Sequence, residues 1–203
     1  MNRPHSTEQS LFRYCPSCGA QMGRDQEGRF LRSICNSCGY VQYRNPIIGV
    51  AAVIEEDDVI RVVGRDAILA ATGLPAAPGQ GRVLLARRAI TYRGSYCFPC
   101  GYVEYDEEIR EALVREAEEE TGLIVEPGRL VAAYSNFHDR EKQSVGIWFR
   151  SHPVGGVLRA GDDVDRLLFV PVPDPGVPLA FPTDAQVLRD LARRQDGGSP
   201  NRP

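Results

Sequence analysis

The chain has 203 residues, 42% of them hydrophobic and 25% charged, with a formal net charge of -3 at pH 7. That is enough for one moderate domain, or one domain with a small appendage, and the composition is ordinary for a soluble globular protein. The acidic balance argues against a binder of nucleic-acid polymers, which asks for basic surface, and no apolar run approaches a membrane span.

Residues 1–11 are polar and read as a flexible arm; the start MNRPHSTEQS lacks the apolar core of a signal peptide, which predicts a cytoplasmic protein. The six cysteines suit that compartment better as metal ligands than as disulfides. Residues 12–44 hold four of them and too little apolar material to fold around a core, so the segment needs a metal staple. Cys15-Pro16-Ser17-Cys18 and Cys35-Asn36-Ser37-Cys38 are two CxxC knuckles separated by 16 residues, each followed by glycine, Gly19 and Gly39. This spacing predicts a zinc ribbon with one tetrahedral Zn²⁺ on Cys15, Cys18, Cys35 and Cys38, structural because protein fills every ligand position.

Arg44-Asn45-Pro46 reads as a hinge into a second domain, residues 45–194. Ile47 to Ile54 is a continuous apolar run, the mark of a buried strand. In residues 57–82, Val59 to Val63 reads as a strand extension and TGLPAAPGQG as a long flexible insert. Val83 to Arg88 and Tyr96 to Phe98 are expected strands, the second entering a Pro99-Cys100-Gly101 turn. Asp106 is the expected N-cap of a helix that runs to about Thr121 and stops at Gly122. Leu130 to Tyr134, Val145 to Arg150 and Arg166 to Val170 read as strands. After the proline-rich DPGVPLAFPT, Val187, Leu188 and Leu191 give helical spacing to Asp184–Arg194, and residues 195–203 read as a disordered tail. The order implies an α+β fold, a mixed β-sheet sandwiched between helices, preceded by the small ribbon.

The acidic helix carries the chemistry. A run such as EAEEE is ordinarily a solvated face. Here Ile109, Ala112 and Leu113 form an inward stripe that, extended at 3.6 residues per turn, reaches Glu116, Glu119 and Glu120. Glu108, Glu111, Arg115 and Glu118 fall on the other side. Carboxylates converging on a partly buried face repel one another, and cations remove that penalty; oxygen ligands favour Mg²⁺ or Mn²⁺ over zinc. Such ions offset nearby anionic charge and acidify a bound water. A third CxxC, Cys97-Phe98-Pro99-Cys100, has thiols three apart that on a strand point to opposite faces. It is expected to be two half-buried small side chains.

From Gly101 to Leu123 the chain reads GYVEYDEEIREALVREAEEETGL. Gly101, Glu107 and Arg115-Glu116-Ala117-Glu118-Glu119-Glu120-Thr121-Gly122-Leu123 resemble the Nudix box at all its fixed positions. The resemblance implies the Nudix fold and metal-dependent cleavage of a diphosphate inside a nucleotide derivative. It implies Glu116, Glu119 and Glu120 as Mg²⁺ or Mn²⁺ ligands, joined by the carbonyl of Gly101. Glu107 would support the site and Arg115 would orient the glutamates by ion pairing, against its outward phase on the helix. The base would be Glu119 or Glu120 through water, or Glu141 from the later loop His138-Asp139-Arg140-Glu141. Cys100 stands where Nudix relatives usually carry glycine or alanine. Arg87 and Arg88 end the strand before the box, where one faces the diphosphate or both lie at an exposed edge. Tyr92, Tyr96, Phe137, Trp148 and Phe181 are candidates for stacking on a base or for the core.

Ribbon, Tyr43-Arg44-Asn45-Pro46 joint and Nudix domain together resemble two groups. NADH pyrophosphatases carry SQPWPFPxS after the box, whereas this chain has AAYSNFHDREKQSVGIWF. Zinc-ribbon FAD and ADP-ribose pyrophosphatases share the Pro99 to Glu104 pattern and Leu179-Ala180-Phe181. That resemblance implies hydrolysis of FAD or ADP-ribose to AMP and a second phosphate ester. NADH pyrophosphatase activity and a non-catalytic nucleotide-sensing module are the alternatives. The implied partner is a small-molecule nucleotide, with no membrane and no nucleic-acid polymer; related proteins often form homodimers.

Overall fold

The computed structural model describes residues 12–27, 30–139 and 142–195. The expected arm at 1–11 and the tail beyond residue 195 lie outside the described residues. The chain divides into two compact units, residues 1–45 and 46–203.

The first unit is a three-stranded antiparallel sheet in the order β1 (Met22–Glu27), β2 (Phe30–Cys35), β3 (Val41–Gln42). Its two knuckles close alike. The Gly19 amide donates to the Cys15 carbonyl and the Gly39 amide to the Cys35 carbonyl, both at 2.9 Å. Gly19 (φ 73°) and Gly39 (φ 76°) take the left-handed conformation that lets the chain turn back under the sulfurs. The four Sγ atoms lie within 4.8 Å of one another. The contacts Cys15–Cys38 (3.6 Å) and Cys18–Cys35 (3.5 Å) come near the edge of a sulfur tetrahedron around zinc, about 3.8 Å for Zn–S of about 2.3 Å. The Cys38 and Ser37 amides bond to Cys35 and lower its thiol to about 6, while the neighbouring Cys18 and Cys35 sulfurs push Cys38 up to about 12.

In the second unit, β4 (Ile47–Val53) pairs antiparallel with β7 (Cys100–Tyr102) and parallel with β9 (Ser144–Gly156), which pairs antiparallel with β8 (Leu123–Asn136). A second sheet holds β10 (Val164–Val170), β5 (Val83–Arg88) and β6 (Tyr96–Cys97) in that order. Among the described residues four helices complete it: α1 (Glu56–Val63), α2 (Arg65–Thr72), α3 (Ile109–Thr121) and α4 (Pro182–Gln195). The apolar run of β4 is explained by burial on both faces. Val50 and Ala52, with Ile54 just beyond, pack with Ala112, Leu113 and Ala117 of α3 and with Val59 and Ile68 of α1 and α2. Ala51 and Val53 face Trp148 and Val187, Leu188 and Leu191 of α4. The sheet therefore stands between helices, as expected. No helix among the described residues is long and apolar enough to cross a membrane.

Two expectations are corrected. Val59 to Val63 is not a strand but the body of α1, and α2 follows at once. A short apolar run fits either period; the acidic first turn Glu56, Asp57 and Asp58, favourable at a helix N-terminus, is the signal that separates them. The stretch after α2 is tied down rather than loose. The Ala77 amide donates to Glu56 (3.3 Å), the Gly79 amide to Asp57 (2.9 Å), and Arg82 sits 3.5 Å from buried Glu56. The second correction concerns the start of α3. Asp106 (φ 66°) lies in the preceding turn, and Glu108 is the N-cap, its carboxylate accepting from the Arg110 amide at 2.6 Å.

Gly122 ends α3 as expected, at φ 69°, its amide donating to the Glu118 carbonyl. A Cβ there would meet the Val157 carbonyl oxygen at 2.2 Å. Gly122→Ala should therefore cost about 2 kcal/mol or more, read as a lower urea midpoint at unchanged slope.

Candidate active site

Strand β7 is pressed between β4 and α3. Gly101 pairs with Val50, and a Cβ on Gly101 would stand 1.9 Å from the Glu116 carboxyl carbon. Only glycine lets the backbone come so close to the carboxylate. One turn further along α3, Glu120 is 2% exposed and its Oε2 accepts from the Cys100 amide at 2.8 Å. Burial, then the neighbouring Cys97 sulfur, pushes the Glu120 carboxyl well above its ordinary range. Burial also raises Glu116, opposed by Arg115.

Arg115 joins the set. Its Nε and Nη2 donate to the two Glu107 oxygens (2.8 and 2.9 Å), its Nη1 to Glu116 (2.8 Å) and Glu119 (3.1 Å), and its Nη2 to the Tyr102 carbonyl (3.1 Å). The guanidinium fork serves three carboxylates at once despite its outward phase. Bonds from Arg115 and from the Glu104 amide bring Glu107 down to about 2. Glu119 is 49% exposed and is held by Arg115, not by the cleft floor. The buried stripe of α3 centres on Leu113, Ala117 and Glu120, and Glu119 stands roughly a third of a turn from that centre.

Gly101, Glu116 and Glu120 line a cleft of ≈ 390 Å³ with Arg88 from the end of β5. Arg88 pairs with Asp163 at 2.7 Å. At the mouth, three rings touch: Tyr92 and Phe181 (centroids 5.4 Å apart), Tyr92 and His138 (5.8 Å), His138 and Phe181 (5.3 Å). The Arg88 guanidinium lies 5.8 Å from the Phe181 ring centre. Arg87 instead pairs with Asp165 (2.7 Å) on the adjacent strand, and neither Arg87 nor Phe137 is in the cleft lining. Glu141 lies outside the described residues.

The cleft also holds Asp184, which sequence reading placed only as the start of a helix. It is 1% exposed, Trp148 Nε1 donates to its Oδ1 at 3.3 Å, and its Oδ2 has no hydrogen-bond partner among the described residues. Burial pushes this carboxyl well up. An acid in a first helical turn looks like any other helix start, so no sequence signal marked it.

Cys97 and Cys100 do not point to opposite faces. Their sulfurs are 3.9 Å apart, Cys97 fully buried and Cys100 lining the cleft. Strict alternation fails because β6 ends at Cys97 and β7 begins at Cys100, so Phe98 and Pro99 carry the chain from one sheet to the other. The Cys100 thiol and then Arg88 lower Cys97, while Cys97 and burial raise Cys100.

An anionic helix end, a glycine strand beside it and an arginine that binds three of the carboxylates stand together at this cleft. The NUDIX domain description matches residues 68–191, and the chain belongs to the Nudix family. It is 30% identical over 161 residues to an ADP-ribose pyrophosphatase of Methanocaldococcus jannaschii, covering 78% of this chain and 80% of that one. It is 37% identical over 87 residues to the 8-oxo-dGDP phosphatase NUDT18 of Mus musculus, covering 42% of this chain and 26% of that one. Among solved structures, a NUDIX hydrolase from Nitrosomonas europaea superposes with TM-score 0.68 at 24% identity, covering 94% of this chain and 97% of that one. The NUDIX domain of Shewanella oneidensis NrtR, complexed with ADP ribose, gives TM-score 0.56 at 19% identity, covering 75% and 90%. These two likenesses concern the fold.

Glu107 also sets a pH dependence. Its carboxyl is near 2 in the folded chain against about 4.3 when unfolded, so the unfolded state binds the proton more tightly between these values. Its stabilisation is complete above the unfolded value and is lost as pH falls toward the folded one. Urea midpoints of the wild type should drop across that window, and Glu107→Gln should flatten that part of the profile.

Proposed function

We propose that the chain hydrolyses the diphosphate of ADP-ribose or FAD with Mg²⁺ or Mn²⁺, giving AMP and a second phosphate ester. The observation that carries this reading is the contact of Gly101 with Glu116 beside buried Glu120, at the wall of a cleft whose mouth bears three aromatic rings. Glu116, Glu119 and Glu120 with the Gly101 carbonyl would hold the ions; such ions neutralise the diphosphate and acidify a bound water. Burial gives Glu116 and Glu120 a raised affinity for protons, and a cation at the same oxygens relieves the same cost. Arg115 keeps the carboxylates apart and aimed. Glu119, the exposed member, is the better placed to take a proton from solvent water, with Glu141 its rival from the later loop.

Arg88 supplies positive charge opposite the glutamates. The rings of Tyr92, His138 and Phe181 offer a face for a nucleobase or flavin. The ADP-ribose pyrophosphatase relative, matched over most of both chains, favours ADP-ribose. The unpaired Asp184 oxygen at the cleft wall favours a substrate whose base edge is read, as in the second curated relative's 8-oxo-dGDP. The ribbon is read as one structural Zn²⁺ site, and the protein as a cytoplasmic homodimer.

The test is product identification after incubation with ADP-ribose, FAD, NADH and 8-oxo-dGDP, each with Mg²⁺ or Mn²⁺. AMP release from the first two is expected; no turnover of any would sink the reading. Glu120→Gln and Glu119→Gln should each lower kcat by about 100-fold or more with normal far-UV circular dichroism. Retained activity in both would refute their role. Elemental analysis should find one zinc per chain, lost in Cys35→Ser.

A further inference from the structure

Cys97 and Cys100 have no part in the hydrolysis proposed above, yet they are placed where chemistry on them would reach it. Their sulfurs are in contact at 3.9 Å. Cys100 opens on the cleft, and Cys97 is enclosed behind it, near the Ala86 carbonyl (3.8 Å) and the Arg88 guanidinium (3.9 Å).

We propose that Cys97 and Cys100 form a reversible disulfide, made by hydrogen peroxide, that lowers turnover at the adjoining glutamate site. A disulfide spans about 2.05 Å, so the sulfurs close a gap of roughly 2 Å, within reach of side-chain rotation and a small shift of the Phe98-Pro99 bend. The oxidant is small and meets Cys100 from the cleft. One sulfur of the pair attacks one peroxide oxygen, the O–O bond breaks, and the departing hydroxide takes its thiol proton to become water. That sulfur now carries S–OH. The other sulfur attacks it, the S–O bond breaks, and the hydroxide leaves with the second thiol proton as a second water. Two thiols and one peroxide become one disulfide and two waters; each sulfur gives up one electron and the peroxide takes both.

The consequence at the site follows from the backbone. The Cys100 amide is the donor that holds Glu120, and the next residue, Gly101, abuts Glu116 with no room for even a methyl group. Drawing the Cys100 sulfur toward Cys97 turns this peptide and moves the support of a carboxylate. Loss of such a support typically costs about 10-fold to 100-fold in metal affinity or activity. This consequence rests on the hydrolase reading; the disulfide itself does not.

The experiment uses the full chain with its ribbon zinc loaded. Protein is treated with hydrogen peroxide, alkylated, digested and mapped by mass spectrometry, while turnover of ADP-ribose is followed in parallel. The expected result is a Cys97–Cys100 peptide lighter by two hydrogens and unalkylated, with turnover down about 10-fold or more, both reversed by dithiothreitol. Cys97→Ala and Cys97→Ser keep all four ribbon cysteines, so damage to the ribbon would strike them equally. Their ratio of oxidised to reduced turnover should stay near one. Full alkylation of both thiols after peroxide overturns the proposal by mass alone, whatever the activity. A disulfide that leaves turnover unchanged, or equal loss in the Cys97 variants, overturns the switch.

Discussion

The guanidinium of Arg115 is the interaction on which the site depends. Helix α3 ends in a concentration of negative charge that would, unrelieved, oppose folding. Arg115 binds Glu107, Glu116 and Glu119 and the Tyr102 carbonyl together, so one cation offsets three carboxylates and fastens the helix to β7. Glu120, beyond its reach, is held by a backbone amide instead. Two kinds of partner thus share the acidic set. The mobile side-chain partner serves the outer carboxylates, and the fixed peptide serves the buried one. On the proposed hydrolase reading, an incoming divalent ion would replace the first without unmaking the second.

The position of this helix is set by β4. Its alternate residues feed two separate cores, one under α3 and one under α4, and the strand is flanked by β7 and β9. The glutamates therefore approach from one layer, while Trp148 and Asp184 approach from the other. The cleft opens where both layers end, which is why acidic, aromatic and cationic groups from distant parts of the chain meet there.

The strands and the C-terminus of α3 were legible because β4, β5, β9 and β10 are dense in apolar residues and Gly122 ends the helix in a left-handed turn. The box residues were legible because they share one short helix and the strand before it, where spacing is geometry. What lay hidden depended on longer-range facts. Val59 to Val63 fits both periods taken alone, and the sign that it is helical lies outside the run, in the acidic turn before it and in its packing against the first core. The meeting of Cys97 with Cys100 depends on the chain leaving one sheet for the other between them. Asp184 reaches the cleft through the docking of α4. Glu119 fell at the margin of a stripe whose centre could not be fixed until its buried partners were known.

The parallel pairing of β4 with β9 has a kinetic meaning. It joins Ile47 to Ser144, whereas β8 and β9 form a hairpin and the ribbon strands pair with near neighbours. Local pairings close quickly; contacts across most of a domain bear the entropy of a long loop before they gain any energy. The central pair of the sheet is thus expected to form late, which leaves the β9-facing edge of β4 open to other chains until then. During synthesis β4 emerges well before its partner, so the yield of folded protein depends on how that strand is sheltered while the ribosome finishes β9.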